Sequence, residues 1–506
     1  MNTFTGIFLL AFVLSYGTQF WLARRQKNHV LQHRDQVPAA FRDRVTLAAH
    51  QKAADYTIEK GKLHDVDSVV GMVFLLALTL GGGISLVFDF WSTFDLSPLT
   101  ADLAAMASIF LLMTVVEIPF SLYQTFVIEE KFGFNKNTIP QFAKDQLLSF
   151  GLTLAIGLPI LALILWVMDS IGSLWWLYAW AILMSFSLLM SWLFPTLIAP
   201  LFNKFEPMQE GSLKQRIQGL LERCGFSSKG IFIMDGSRRS GHGNAYFTGL
   251  GNNKRIVFFD TLVNSLDEEE LEAVLAHELG HFKCKHTIKM LVASSIMTLI
   301  SFAVLGWLIT QDWFFDGLGV TTHSNAAALL LFMLVSPVFT TFMQPISAYF
   351  QRKFEFEADD FATRNAQGKK MISGLVKLYE ENASTLTPDP LYSAFHYSHP
   401  PARSASPTSN KKCSPLNGRA APRLGRFPPR QGHRRRGRGT NRAVPNPAQA
   451  GYRRRRRPSL TVLIRPGTRP HRTNPAAALG IATPQPRRPG PAGGRQSGYD
   501  FCRVRR

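Results

Sequence analysis

The chain has 506 residues, 46% of them hydrophobic and 18% charged, with a formal net charge of +21. The charge is confined to one end: residues 402–506 hold 26 of the 56 Lys and Arg and one of the 35 acids, Asp500, leaving 30 basic against 34 acidic residues before them. Net charge is therefore no argument for a nucleic-acid binder, and the mean hydropathy of +0.02 averages a polar tail with a very apolar body. Cys224, Cys284, Cys413 and Cys502 are far apart and form no CxxC pair. That excludes a cysteine-based zinc site and a disulfide scaffold, and four free thiols are expected.

A membrane-spanning helix needs roughly 20 apolar residues with almost no charge. Seven stretches qualify in chain order: Phe4–Leu22, Ser68–Phe88, Leu103–Ile128, Gln146–Met168, Ile171–Asn203, Met290–Thr310 and Asn325–Phe350. The third contains Glu117, and Pro195 and Pro200 are expected to break the fifth near its end. The first stretch lacks a basic leader and an A-x-A site, so it reads as an uncleaved anchor. The loop after the first span carries Arg24, Arg25, Lys27, Arg34, Arg42 and Arg44, and the loop after the third carries Lys131, Lys136 and Lys144. Residues 89–102, 169–170 and 311–324 contain no Lys or Arg. This alternation places the N-terminus outside and the polar regions 204–289 and after 350 in the cytoplasm. The expected organisation is five spans over 1–203, a cytoplasmic segment 204–289, two spans over 290–350, a second cytoplasmic segment 351–401 and a tail 402–506.

Within 204–289, Ile231–Asp235, Asn244–Thr248 and Arg255–Leu262 read as strands, with Gly251-Asn252-Asn253-Lys254 as a hairpin turn. A free edge at Asn244–Thr248 could hold an extended peptide by β-augmentation, and Asn244 is either a turn residue or a polar contact to the scissile peptide. Residues 267–287 then read as a helix, with Ser265 and Glu268 as its capping box. It contains His277-Glu278-Leu279-Gly280-His281. The i, i+4 spacing puts the two imidazoles about 40° apart on one face and about 6 Å apart along the axis, within reach of one tetrahedral Zn²⁺. Glu278 lies about 100° round from His277, where a base activating a water at the metal belongs. A catalytic zinc takes three protein ligands, so a third must come from the same side of the membrane. Glu355 and Asp359, again i, i+4, follow the last span. Glu355 is the candidate third ligand, and Asp359 is the candidate acceptor for the distal nitrogen of a ligand histidine.

These motifs resemble the integral-membrane zinc metalloproteases of the type I CAAX prenyl endopeptidase family. The resemblance is carried by Tyr123–Lys136 (YQTFVIEEKFGFNK), Asn244-Ala245-Tyr246-Phe247, the HELGH run, Phe354–Asp359 (FEFEAD) and His396–Pro401 (HYSHPP), and covers about residues 1–401. It implies seven helices round a membrane chamber, with zinc bound by His277, His281 and Glu355 near its cytoplasmic end and Glu278 as base. It also implies that Asn244 and His399 contact substrate or the tetrahedral oxyanion; on sequence alone His399 reads as an ordinary loop histidine. The family continues with an Arg six positions beyond that His, whereas Ala405 stands here and Arg403 comes two residues early. From Ala402 the resemblance ends. The tail holds 15 of the 29 prolines and runs such as Arg453–Arg457, and has no periodicity able to bury a core. It reads either as a basic disordered arm or, preferably, as GC-rich DNA translated out of frame.

The expectation is thus a mainly α, polytopic membrane protein with a small cytoplasmic α+β metalloprotease domain. It would be an endopeptidase with one Zn²⁺ per chain, acting on peptide or protein substrates that are membrane-associated or prenylated. It would bind no specific nucleic acid and act as a monomer. The membrane would be the inner membrane of a bacterium, towards which the long charged loop and the lack of an ER-retention signal lean, or the endoplasmic reticulum of a eukaryote. The alternatives are a quality-control protease of the same class, and a non-catalytic membrane protein or transporter, for which Glu117 beside Pro119 is the supporting residue.

Overall fold

A computed structural model describes residues 2–248 and 254–401. The Gly251–Asn253 part of the expected hairpin turn and the whole of the tail 402–506 lie outside the described residues. Among the described residues six helices are long and apolar enough to cross a membrane: Thr3–Gln32, Pro98–Glu129, Ile139–Ser170, Gly172–Phe202, His286–Leu308 and Asn325–Asn365. A seventh span is a bent pair, Leu47–Leu78 and Gly83–Ser92, turning by 52°. The protein is therefore a mainly α, multi-pass membrane protein, and each apolar run read from the sequence lies on one of these elements.

The bend in the second span has a local cause. Gly82 sits at φ +75°, in the left-handed region that favours glycine, and a Cβ on Gly81 would lie 2.6 Å from the Ala77 carbonyl oxygen. In the fifth span Pro195 does not break the helix. The ladder widens into a π turn over Phe194–Ile198, which accommodates the missing N–H, and the helix stops at Phe202. The spans pack on one another through Phe8, Ile84, Met106, Ile109, Leu165 and Leu330, all under 2% exposed. Their outer faces leave Leu10, Val13, Val73, Leu86, Val292 and Ile296 open, an apolar belt that suits lipid and would be costly in water.

The polar segment between the fifth and sixth spans folds as a small α+β unit. Strands β1 (Phe205–Pro207), β2 (Gly230–Met234), β3 (Ala245–Thr248) and β4 (Arg255–Phe259) form a sheet in the order β1-β2-β4-β3. β2 and β4 are parallel, and the outer pairings are antiparallel. β1 was not apparent in the sequence because it is three residues long. Beyond Phe259 the expected strand gives way to a short helix, Asp260–Ser265. Ile217, Leu220, Ile256, Phe258, Leu271, Leu275 and Leu279 make the core between the sheet and the helices Ser212–Arg223 and Glu268–Lys283. Cys224 is a buried free thiol, as expected.

A buried polar network fastens this unit to the spans. The Tyr56 hydroxyl donates to Glu129 Oε1 at 2.6 Å, and His242 Nε2 lies 3.3 Å from Glu129 Oε2. His242 Nδ1 meets Asn382 Oδ1 at 3.0 Å, and its ring stacks on Phe134 at 4.5 Å. Arg239 forks onto both oxygens of Asp145 at 3.0 Å. This accounts for much of the Tyr123–Lys136 motif: Glu129 and Phe134 clamp the loop that leads into β3.

Candidate metal centre

The helix Glu268–Lys283 is started by Asp267, whose carboxylate accepts from the backbone N–H of Glu269 and Glu270 at 3.0 and 2.8 Å. Glu270 returns the bond to the Asp267 N–H at 3.0 Å. The capping box is therefore Asp267 and Glu270, two residues later than the sequence reading of Ser265 and Glu268. Ser265 instead closes the preceding short helix on the Leu262 carbonyl at 3.1 Å. Glu270 is further held by Lys377 at 2.6 Å.

Glu355 comes from the long helix that continues the last span, Gln344–Asn365. The two helices touch at Gly280. A Cβ there would lie 2.8 Å from Ala358 Cα and 3.0 Å from its carbonyl oxygen, so only glycine lets the backbones approach this closely. The glycine of HELGH is thus what brings the third donor to the two histidines.

His277 Nε2 and His281 Nε2 are 3.2 Å apart. Glu355 Oε2 lies 3.3 Å from the first and Oε1 lies 3.5 Å from the second. Two ligands at 2.0–2.1 Å from a tetrahedral zinc are about 3.3 Å apart, so these three atoms have the spacing of one coordination sphere. His277 Nδ1 meets Asp359 Oδ1 at 2.9 Å, and such a contact fixes the ring's orientation and leaves Nε2 as the donor. Burial alone would lower the His277 imidazole, but Asp359 and Glu355 raise it well above its ordinary value, a cluster poised to exchange a proton for a cation.

Glu278 is buried, and its Oε2 has no hydrogen-bond partner among the described residues. Burial pushes its carboxyl up to about 7, against the pull of His277 and His281. An orphaned buried carboxylate oxygen beside three convergent donors is what a metal and its water would satisfy. The residues present fit a metal ion.

His399 enters from the Ser393–Pro401 segment, its Nε2 3.4 Å from Glu355 Oε2 and its Nδ1 3.0 Å from Ser398 Oγ. Its side chain is 41% exposed, against 16% for His277 and His281 and 10% for Glu355. Sequence reasoning missed what holds this segment. Arg352, one turn before Glu355, donates to the carbonyls of Ser393 and Tyr397 at 3.3 and 2.7 Å. Asp389 caps the helix Pro390–His396 and pairs with Arg25 at 2.9 Å. Asn244 is anchored at the entrance of β3, its side chain accepting from the Ala245 N–H at 2.8 Å and its carbonyl from the Phe259 N–H at 2.9 Å. β3 is an edge of the sheet and packs beside the helix that carries the histidines.

Comparison with known proteins fits this arrangement. Residues 26–204 match the family described as CAAX prenyl protease N-terminal, five membrane helices, and residues 207–404 match peptidase family M48. The chain is 37% identical to a CAAX prenyl protease 1 homolog of Dictyostelium discoideum, over 79% of this chain and 95% of that one. The chain belongs to peptidase family M48. It is 32% identical to CAAX prenyl protease 1 of Saccharomyces cerevisiae over 77% of this chain and 91% of that protein, and 30% identical to the human homolog over 78% and 93%. Among solved structures it resembles the crystal structure of S. mikatae Ste24p, with a TM-score of 0.74 and 31% identity over 80% of this chain and 98% of that one. This M48 protein is a membrane metalloendopeptidase, and no observation favours the transporter or non-catalytic reading.

Proposed function

We propose that this peptidase binds one zinc through His277, His281 and Glu355 and cleaves the C-terminal segment of prenylated, CAAX-type peptides at the cytoplasmic face of its membrane. The observation that supports it most is the tetrahedral spacing of the three donors beside the orphaned Glu278 carboxylate. When bound, zinc supplies a Lewis acid and lowers the pKa of water to about 7. Glu278 Oε2 is the base that takes the proton of the attacking water and later returns it to the leaving amine. Asp359 holds His277 in the tautomer that offers Nε2. The edge of β3 aligns an extended peptide, with Asn244 as a polar contact to its backbone, and His399 donates to the oxyanion from the open side. The chain acts as a monomer in this reading. The basic loops after the first and third spans support a cytoplasmic active site, and the names of the relatives, which describe CAAX prenyl proteases, support the substrate reading.

The test uses full-length protein in liposomes. It should contain one zinc per chain and cut a farnesylated CAAX peptide well above its unprenylated twin. Glu278→Gln should keep the zinc and lose about a thousandfold in turnover. Equal cleavage of both peptides would replace the substrate reading with a general membrane protease, and full activity of the variant would end the assignment of the base.

A further inference from the structure

The two histidine ligands are not backed in the same way, and the second backing arises where the helix breaks. After His281 the helix runs only to Lys283, and Lys285 takes the left-handed conformation, φ +56° and ψ +32°. That is uncommon for a residue with a long side chain, so tertiary contacts must hold it there. The kink turns the chain back, and His286, the first residue of the sixth span, faces the metal donors instead of continuing away from them.

His286 is wholly buried. Its ring stacks on Phe354 at 4.4 Å and 15°, its Nδ1 lies 3.1 Å from His281 Nδ1, and its Nε2 lies 3.0 Å from Glu357 Oε2. Cys284, His286 and Glu357 also offer donor atoms within 4.8 Å of one another, but both His286 nitrogens are engaged, by His281 and by Glu357.

We propose that His286, held by Glu357, is the positioning residue for the ligand His281. The inference rests on the zinc reading above. A neutral imidazole that offers Nε2 to a metal carries its proton on Nδ1, and in His281 that N–H points at His286 Nδ1. His286 must then accept at Nδ1 and carry its own proton on Nε2, which it donates to the Glu357 carboxylate. Glu357 thereby fixes the tautomer of His286, and His286 fixes both the tautomer and the rotation of His281. The contact from Asp359 to His277 is direct, whereas the carboxylate behind His281 acts through a second imidazole. Phe354, Glu355 and Glu357 come from one turn of helix, so the same segment supplies the third ligand, the stacking face and the far end of the relay.

The experiment loads full-length protein in detergent with zinc and measures its release to a chromogenic chelator, alongside the absorption spectrum of the Co²⁺-substituted form. His286→Phe keeps the volume and the stack on Phe354 but removes the acceptor, and should release zinc about 10- to 100-fold faster with an altered cobalt spectrum. His286→Asn places an oxygen near the position of Nδ1 and should recover most of the slow release and the wild-type spectrum. Glu357→Gln, at a partly exposed position, removes the charge while leaving an acceptor, and should give an intermediate rate. Release from His286→Phe within twofold of wild type, or equal rates for the Phe and Asn variants, would overturn the relay. A wild-type protein that binds no zinc would instead sink the metal assignment on which it rests.

Discussion

In the proposed reading the centre has a ligand side and a substrate side, and the two are built by different means. His277, His281 and Glu355 stand on two long helices in backbone contact at Gly280 and Ala358, each histidine is backed by a further side chain, and all three are nearly buried. His399 stands on a short, irregular segment, has a side chain that is 41% exposed, and is held through main-chain carbonyls by Arg352. Ligands at about 2.1 Å tolerate little error, so rigidity suits the first side. A group that must meet an incoming peptide benefits from access. Metal retention and substrate turnover should therefore separate cleanly under mutation.

Gly280→Val should break both sides at once. The added side chain drives into Ala358 and moves Glu355 away from the histidines. Zinc should fall well below one per chain and peptidase activity should drop about a thousandfold or more, measured by metal analysis and peptide cleavage. Normal zinc in that variant would mean that the helix contact does not set the ligand geometry. His399→Ala should lose about a hundredfold in kcat, the scale of one oxyanion donor, with zinc content unchanged. Zinc loss there would make His399 part of the metal shell and erase the contrast. Arg352→Met removes the two bonds to the His399 segment and should cost about tenfold, with zinc again retained, because positioning is loosened and no reacting group is lost.

Much of this was readable in the chain. Seven apolar runs announced the spans because lipid demands length and lack of charge, both local properties. HExxH announced the pairing of His277 and His281 because i, i+4 is fixed by helix geometry, and the approach of Glu355 and Asp359 to them was legible from the same spacing. His286 escaped because it stands five residues after His281, a spacing without meaning on a continuous helix, and the left-handed turn at Lys285 has no residue signature. An additional histidine so close to the motif was the one signal available. Arg352 escaped for another reason: its partners are backbone carbonyls more than 40 residues away, and backbone atoms leave no mark on the sequence. The cap was misplaced by two residues because Ser265 and Asp267 both satisfy the pattern, and the short helix Asp260–Ser265 decided between them.

The metal donors also have a mechanical address. Glu355 lies five residues past Phe350 on an unbroken helix, about 7.5 Å beyond the end of an apolar stretch. His281 lies five residues before the first residue of another span, across the turn at Lys285. The two arms of the proposed coordination sphere are thus mounted on separate posts that continue into membrane spans. A change in acyl-chain length that tilts one post against the other reaches the donors with only a turn of helix in between. If the centre binds zinc as proposed, hydrocarbon thickness becomes a lever on it, and metal affinity should differ between detergent and bilayers of different thickness.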